Sequence, residues 1–395
     1  MRLSPDNLRK WRRFRQNRLA WFSLLALTGL FFVVLPAELL CNDRPLAVRC
    51  GGRWFSPALF VYAGADFGLP SGSPEPDYRR WAAPPPPSRQ PVTPSPSLPV
   101  FDSEPGELPP SPPRISGSAG APFLPSSPWM VWAPVRHGYA SIASGSRSGR
   151  DALAAPYAIR DRATGAVTSS SWADGHWLGT DDRGRDVLAR LIYGLRLSML
   201  FGLTVAVISV VVGTVLGGIQ GFFGGWTDLL GQRFTEIWGS LPRLYLLMIL
   251  STILSRGIGV LLFIMVLTSW MGIAAYMRAE FLRGRNLEYV RAARALGAEN
   301  AAIMFRHILP NSLTPLVTFF PFMVSGGVLA LTSLDFLGLG VPSPQPSLGE
   351  LLTQGQANLQ ALWIIVPTFL VLCVTTLMLT FVGDGLRNAF DPRKC

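Results

Sequence analysis

Residues 198–222 read SMLFGLTVAVISVVVGTVLGGIQGF, a stretch without a single charged side chain. A helix of about 20 apolar residues crosses a hydrocarbon layer about 30 Å thick, so this stretch is long enough to span a membrane. Five further runs share its apolar character, at residues 19–35, 241–254, 257–276, 314–334 and 362–382. The pattern predicts an all-α polytopic membrane protein with six transmembrane helices.

Positive charge lies beside these runs, and the formal net charge of the chain is +11. Cationic residues cluster at 1–18, 278–306 and 387–394, which six spans place on the same side of the membrane. By the positive-inside rule that side is the cytoplasm, so both termini are expected there. Arginines beside apolar runs favour membrane insertion over nucleic-acid binding.

Composition divides the chain into four parts. Residues 1–18 form a basic N-terminus, 19–40 the first transmembrane helix, 41–175 an extracytoplasmic insert and 176–390 the remaining five helices. Twenty of the 34 prolines lie between residues 70 and 134. The insert is therefore expected to be Pro-rich, without ladders or helices, and partly disordered. Two roles are open for the insert. It is either a docking or spacer element or a tolerated surface insertion, and we favour the second.

Four glycines recur at four-residue spacing along the second span, namely Gly213, Gly217, Gly221 and Gly225. Residues at this spacing lie near one helical face, where a missing Cβ lets another backbone approach closely. The pattern predicts a helix-packing seam within or between subunits. The alternative is that glycine is simply commoner in membrane helices.

The chain lacks the elements of an ATP-hydrolysing site. Its only lysines are Lys10 and Lys394, and neither follows a glycine, whereas a P-loop needs a Gly-Lys-Ser/Thr step. ATP, if used, is hydrolysed by another chain. The cysteines do not have metal-site spacing. Cys41 and Cys50 both lie outside the membrane in the predicted topology, where a disulfide and two free thiols are equally open.

A polar stretch at residues 277–311, between the fourth and fifth spans, carries six arginines and three glutamates. The charge rule places it in the cytoplasm. Its pattern predicts helix, turn, helix, with Gly297 ending the first helix at positive φ and Pro310 ending the second. Ala292 and Ala293 are small, so the first helix could enter a cleft on a partner.

This stretch resembles the EAA loop of binding-protein-dependent ABC importers, whose pattern is Glu-Ala-Ala, three residues, Gly, then Ile-x-Leu-Pro further on. Ala292, Ala293, Gly297 and Pro310 match that pattern, whereas Arg291 stands where the family has glutamate. Four stretches of the chain resemble the dipeptide/oligopeptide permease branch in particular. They are residues 289–298 (YVRAARALGA), 177–187 (WLGTDDRGRDV), 336–340 (FLGLG) and 383–387 (GDGLR). Within it, the microcin C-type peptide importers are most similar, through residues 283–293 and 334–338.

The resemblance implies the type I ABC importer permease fold, in a bacterial inner membrane, with an EAA-type coupling loop at 277–311. It implies partners: a second permease subunit forming a heterodimer, two ATPase domains and an extracytoplasmic peptide-binding protein. This chain would bind no cofactor, ATP and Mg being held by the ATPase. ATPase coupling is implied for Glu288, Arg291, Ala292, Ala293, Gly297 and Pro310.

Two other functional classes make different demands on the spans. An ion-coupled secondary transporter needs paired charges near the midplane and duplicated halves. An intramembrane enzyme such as a serine protease needs a serine and a histidine facing each other in separate spans. The predicted spans are almost free of charge and contain no histidine, which disfavours both classes.

Some polar residues outside this loop have plain structural interpretations. Asp335 precedes Gly338 and Gly340 and is interpreted as capping a turn near the outer surface. His176 and His307 are interpreted as solvated or backbone-bonded. Residues 187–197 are expected to form a separate helix on the outer surface.

Overall fold

The computed structural model describes residues 5–50, 52–67, 76, 78–82, 129–142, 152–160, 167–168, 170–254 and 257–390. The prediction of an extended or disordered proline-rich stretch falls mainly on residues 83–128, which lie outside the described residues. The chain divides into two compact units. One comprises Met1–Cys41 and His137–Cys395, and the other comprises Asn42–Arg136.

The described helices, in chain order, are α1 (Pro5–Gln16), α2 (Arg18–Val34), α3 (Ala37–Leu40), α4 (Tyr78–Ala82), α5 (Val187–Phe223), α6 (Gly225–Gly239), α7 (Arg243–Ile253), α8 (Ile258–Ser269), α9 (Met271–Gly284), α10 (Glu288–Ala295), α11 (Asn300–Ala302), α12 (Leu309–Phe336), α13 (Leu348–Ala357) and α14 (Leu362–Phe390). The described strands are β1 (Ala47–Cys50), β2 (Arg53–Phe55), β3 (Trp129–Val131), β4 (Ile159–Arg160) and β5 (Val167–Thr168). A π-helical stretch, Ile303–Ile308, joins α11 to α12.

Four helical segments of the described chain are long and apolar enough to cross a membrane: Val187–Phe223, Ile258–Gly284, Asn300–Phe336 and Leu362–Phe390. A fifth is added if α1 and α2, which meet at 93°, are taken as one bent span. Helix α7 has 11 residues, about 16 Å, so by itself it is shorter than the hydrocarbon layer. The helical membrane fold follows the prediction, whereas length and composition alone do not reach six spans.

Helix α5 is continuous over 37 residues. Asp186 caps its start, because Oδ1 accepts a hydrogen bond from the Ala189 amide at 2.7 Å. The prediction of a separate surface helix at residues 187–197 is therefore wrong, since the backbone hydrogen bonding continues into the apolar run. At about 1.5 Å per residue α5 is about 55 Å long, so one end extends beyond a hydrocarbon layer.

A close contact between α5 and α9 follows the glycine spacing. A Cβ on any of Gly213, Gly217 or Gly221 would come within 2.7 Å of a backbone oxygen of Trp270, Ala274 or Arg278. Gly225 does not belong to this seam. Helix α5 ends at Phe223, and Gly225 has φ +55° with no neighbour within 4 Å of a Cβ position. The predicted four-glycine face is shortened because the helix stops before its last member.

The rest of the larger unit packs around α5, α12 and α14. Leu195, Val328 and Leu372 are buried together in one apolar cluster that also includes residues of α2. A second cluster joins α5 to α7 and α8 through Phe201, Leu247 and Ile264, among others. Within a bilayer, lipid tails are as apolar as these side chains, so dispersion and close backbone contact hold the helices together more than apolar burial does.

The smaller unit contains a three-stranded antiparallel sheet in the order β2-β1-β3. Val48 of β1 is fully buried and clusters with Phe67, Tyr78 and Trp81. The expectation that the insert forms neither ladders nor helices is therefore wrong for this part. The three strands contain no proline and are rich in strand-forming side chains, although β3 lies inside the proline-rich residues 70–134.

The two N-terminal cysteines are free thiols. Cys41 is fully buried in the larger unit, and Cys50 is half-buried in the smaller one. Burial, assisted by the negative charge of Asp186, raises the pKa of the Cys41 thiol to about 12. This thiol stays protonated at neutral pH and is a poor nucleophile.

Candidate functional site

The polar stretch between α9 and α12 is anchored to the helix bundle through one side chain of α10. Val290 is fully buried, in a cluster that includes Phe281, Ile303 and Ile308. Glu288 lies in the first turn of α10, where a carboxylate faces the positive end of the helix dipole. Helix α10 is therefore a short surface helix held by its apolar side.

Gly297 terminates α10 as predicted. Its φ is +80°, a left-handed conformation that glycine adopts at little cost. The Gly297 amide donates to the Arg294 carbonyl at 3.0 Å, and the Ala298 amide donates to the Ala293 carbonyl at 3.1 Å. These two bonds form a Schellman motif, so the orientation of the exit from α10 is fixed by backbone geometry.

The outer face of α10 is open to solvent. Arg291, Ala292 and Gly297 are exposed, and Leu296 is 89% exposed. Ala293 is half-buried against the apolar cluster. Leu296 is therefore almost fully exposed, next to small side chains and to a glycine with open space at its Cβ position. Together these residues form a flat apolar surface at the end of α10.

Pro310 does not end the second helix of the stretch. It lies in the first turn of α12, and the helical path runs on from Asn300 to Phe336. The π-helical stretch ends at Ile308 and α12 begins at Leu309, so the backbone N–H that Pro310 lacks is missing at the junction between the two helix types.

Further contacts connect this stretch to α5 and α6. Arg285 donates from Nη1 to the carbonyl oxygens of Gly221 and Phe222 at 3.4 and 3.3 Å. Arg278 forms an ion pair with Asp228 of α6, and the hydrogen bond from Arg278 holds the pKa of that carboxyl below its usual value. These contacts hold the N-terminal end of the stretch against α5 and α6.

A buried cluster of charges lies in a different part of the larger unit. Arg185 donates from Nε to Asp181 at 2.7 Å and lies 3.1 Å from Glu350. Arg190, fully buried, pairs with Glu350, and its Nε lies 3.5 Å from Asp181 without forming a hydrogen bond. The two arginines and two carboxylates balance in charge, as a buried ionic group requires.

The pairing of residues in this cluster is not predictable from their positions along the chain. Five of the six residues from 181 to 186 are charged, but Glu350 lies more than 150 residues away, and no local spacing links it to Arg190. A usable signal was present in α5, because Arg190 and Arg196 are the two charged residues of an otherwise uncharged helix. Asp182 lies at the edge of the cluster, and burial, followed by repulsion from Asp181, raises its pKa.

His176 is paired more specifically than predicted. It is buried, and its Nδ1 lies 2.8 Å from Asp186 Oδ2. Its ring stacks on that of His137 at 3.8 Å between centroids. The interpretation as a solvated or backbone-bonded histidine is wrong for His176, because turns bring residues ten and 39 positions away onto it. His307 lies half-buried in the π-helical stretch.

Asp335 acts as a cap, as interpreted from the sequence. Its Oδ1 accepts from the Val341 amide at 2.7 Å, and its Oδ2 accepts from the Ser347 hydroxyl. Both bonds fix the connection from α12 to α13. Within the described residues no three His, Cys, Asp or Glu side chains converge as a metal site would require.

Residues 188–394 match a family model described as "Binding-protein-dependent transport system inner membrane component". This chain belongs to that family. The matched region begins in α5 and includes α10 and the whole helical path that follows it. The chain is therefore a multi-pass inner-membrane permease subunit of an ABC importer, and the family is not one that carries the ATPase.

Relatives of this inner-membrane component are similar over nearly the full chain. The "Peptidoglycan transport system permease protein YejE" of Agrobacterium fabrum is 41% identical over 99% of this chain and 94% of its own length. The "Inner membrane ABC transporter permease protein YejE" of Escherichia coli is 40% identical over 100% of this chain and 99% of its own length. The "Oligopeptide transport system permease protein OppC" of Haemophilus influenzae is 36% identical over 60% of this chain and 77% of its own length.

Proposed function

We propose that this chain is one of two different permease subunits of a peptide importer, and that α10 is the docking helix for its ATPase. The observation that supports the docking assignment is the exposure of Leu296 beside Gly297, on a helix whose opposite side is anchored by Val290. Leu296 and the small residues next to it offer a partner an exposed apolar surface, and a helix this firmly held can transmit a displacement to α9 and α12.

The proposed residues divide into contact and positioning roles. Arg291 and Ala292 face outward with Gly297 and would touch the ATPase. Ala293 and Glu288 would position the helix, the first through its half-buried side chain and the second at the helix start. Pro310 would set the path from the π-helical stretch into α12. The family has glutamate at the position of Arg291, so this residue would contact the ATPase through a positive charge.

The proposed topology has six spans in the type I arrangement, namely α2, α5, α7, the α8–α9 pair, α12 and α14. Helix α7 is short, but the apolar run from 241 to 254 is longer than the helix itself. Six spans put both termini in the cytoplasm together with α10, in agreement with the positive-inside rule. The insert at 41–175 is then extracytoplasmic.

The proposed partners complete the transport machinery. A second, non-identical permease would share the translocation path, two ATPase domains would bind Mg and ATP below it, and a peptide-binding protein would deliver substrate from outside. Relatives named for peptidoglycan and oligopeptide transport support a peptide-containing substrate of the microcin C type. Ion coupling is disfavoured because Asp335, the acid that directly follows the fifth predicted span, already accepts hydrogen bonds from the Val341 amide and the Ser347 hydroxyl.

Co-purification tests the docking assignment directly. A tagged chain is expressed with the ATPase subunit of its own system and extracted in mild detergent, and the amount of retained ATPase is measured. Leu296→Glu should reduce it at least tenfold, because a charge would enter an apolar contact. Leu359→Glu is the matched control, since Leu359 is 71% exposed and outside α10.

Equal ATPase retention by both variants would contradict the role of α10. Uptake of a labelled peptide in cells tests the energy source. Uptake that continues after the proton gradient is dissipated while ATP is maintained supports the importer, and uptake that stops supports an ion-coupled transporter.

A further inference from the structure

Helix α1 meets the first membrane helix at nearly a right angle. The two helices are bent by 93° at Asn17, whose side-chain oxygen accepts a hydrogen bond from the Ala20 amide at 3.4 Å. A helix perpendicular to a membrane-crossing helix lies parallel to the membrane plane. Helix α1 is thus placed to lie along the boundary between lipid and water.

One face of α1 is docked on the end of α14. Phe14 is 1% exposed, and a Cβ on Gly385 would lie 3.0 Å from its ring. The ammonium group of Lys10 lies 4.9 Å from the centre of the Phe390 ring. Trp11 packs edge-on against Trp21 of α2 at 5.6 Å. These contacts hold α1 in a fixed orientation on the bundle.

The other face of α1 is basic and open. Arg9, Arg12 and Arg15 are exposed, and exposed Arg18 follows at the start of α2. In the described part of the chain none of these four forms an ion pair. At about 100° per residue, Arg9, Arg12 and Arg15 fall within one side of the helix. Residues 1–18 contain seven cationic side chains and one acidic side chain.

We propose that this basic face of α1 binds anionic phospholipid headgroups of the cytoplasmic leaflet, and that bound lipid holds α1 against α14. The charge is complementary, and the right-angle bend brings the guanidinium groups to headgroup depth. Arginine suits this partner because its planar donors bind phosphate oxygens in pairs. The proposal rests on the cytoplasmic N-terminus of the proposed topology but not on the substrate or on ATPase docking.

The test uses the full chain, purified in a neutral detergent and titrated with phosphatidylglycerol or with phosphatidylcholine. Native mass spectrometry counts the bound lipids, and the midpoint of thermal unfolding reports stabilisation. Phosphatidylglycerol should bind and raise the midpoint, and phosphatidylcholine should not. The effect should shrink between 0.1 M and 1 M salt, where the screening length falls from about 10 Å to about 3 Å.

Variants identify the site. Arg12→Gln with Arg15→Gln should weaken phosphatidylglycerol binding about 30-fold, because each cation near an anionic surface contributes about fivefold. Arg12→Lys with Arg15→Lys should retain most of the binding. Arg49→Gln with Arg53→Gln removes two exposed arginines from the smaller unit and should leave binding unchanged.

Undiminished phosphatidylglycerol binding by the α1 glutamine variant would overturn the proposal. Equal stabilisation by phosphatidylcholine would also overturn it. Equal stabilisation by soluble glycerol phosphate would overturn it too, because it would show a site for free phosphate instead of a membrane surface. Because these readouts need no ATPase, they are independent of the co-purification experiment. Loss of ATPase retention with intact lipid binding, or the reverse, separates the two proposals.

Discussion

Gly217 of α5 lies so close to Ala274 of α9 that a Cβ on the glycine would stand 2.2 Å from the Ala274 carbonyl oxygen. Ordinary Cβ contacts are not shorter than 3.0 Å, so no side chain fits without moving the two backbones apart. The contact therefore sets the distance between a long membrane helix and the helix that leads into α10.

Gly217→Ala should destabilise the protein by about 1–3 kcal/mol, the cost of overpacking a close helix contact. The measurement is the midpoint of thermal unfolding in detergent. Gly326→Ala is the matched control, because Gly326 lies inside α12 with open space at its Cβ position. That control should be neutral or stabilising by up to about 1 kcal/mol. Equal midpoints for the two variants would show that the close approach is not limiting.

Gly297→Asp should abolish peptide uptake while leaving membrane insertion intact. The φ of +80° is strained for a side-chain-bearing residue, and the exposed carboxylate would face the proposed ATPase surface. Gly297→Asn has nearly the same shape and the same tolerance of positive φ but carries no charge, so it should retain more uptake. Uptake in cells is normalised to the amount of chain in the membrane fraction. Wild-type uptake by the aspartate variant would refute the coupling role of this turn.

Glu350→Leu should destabilise the larger unit by about 3 kcal/mol, since it leaves two buried arginines with Asp181 and the more distant Asp182, which lies 3.9 Å from Arg185. The double variant Arg190→Met with Glu350→Leu should recover at least half of that loss, because the buried charge is removed with its partner. Unfolding in denaturant measures both. Glu236→Leu breaks the exposed pair with Arg233 and should change stability by less than about 0.5 kcal/mol. Additive losses in the double variant would mean that the two residues do not act as a pair.

The Asp228–Arg278 pair predicts a pH-dependent contribution to stability. The Arg278 hydrogen bond lowers the pKa of Asp228 in the folded protein, so this contribution is fully present above the unfolded pKa of about 3.9. It is lost as pH falls through the lower folded value. The unfolding midpoints of the wild type and of Asp228→Asn should differ by a constant amount between pH 7 and pH 5, and the difference should shrink as the pH falls below the unfolded pKa of about 3.9. A difference that stays the same at pH 3 would contradict this assignment.

The sequence was most informative where one local rule determined the outcome. Apolar runs predicted helical membrane segments, four-residue glycine spacing predicted the α5–α9 contact, and Gly297 predicted the end of α10. It was misleading where the outcome depended on continuity. Nothing local distinguishes a break at residue 197 from one long helix, and Pro310 ends a helix or begins one depending on what precedes it.

What the sequence by itself determined is the class of protein, because hydrophobicity, charge placement and the 277–311 pattern are read along the chain. The tertiary structure alone decided which residues meet. Glu350 reaches Arg190, His137 stacks on His176, and α1 turns by 93° to dock Phe14 beside Gly385. The physical reason is that membrane insertion depends on summed transfer free energies of local segments, whereas ion pairing and close packing depend on distances between segments that only the folded chain sets.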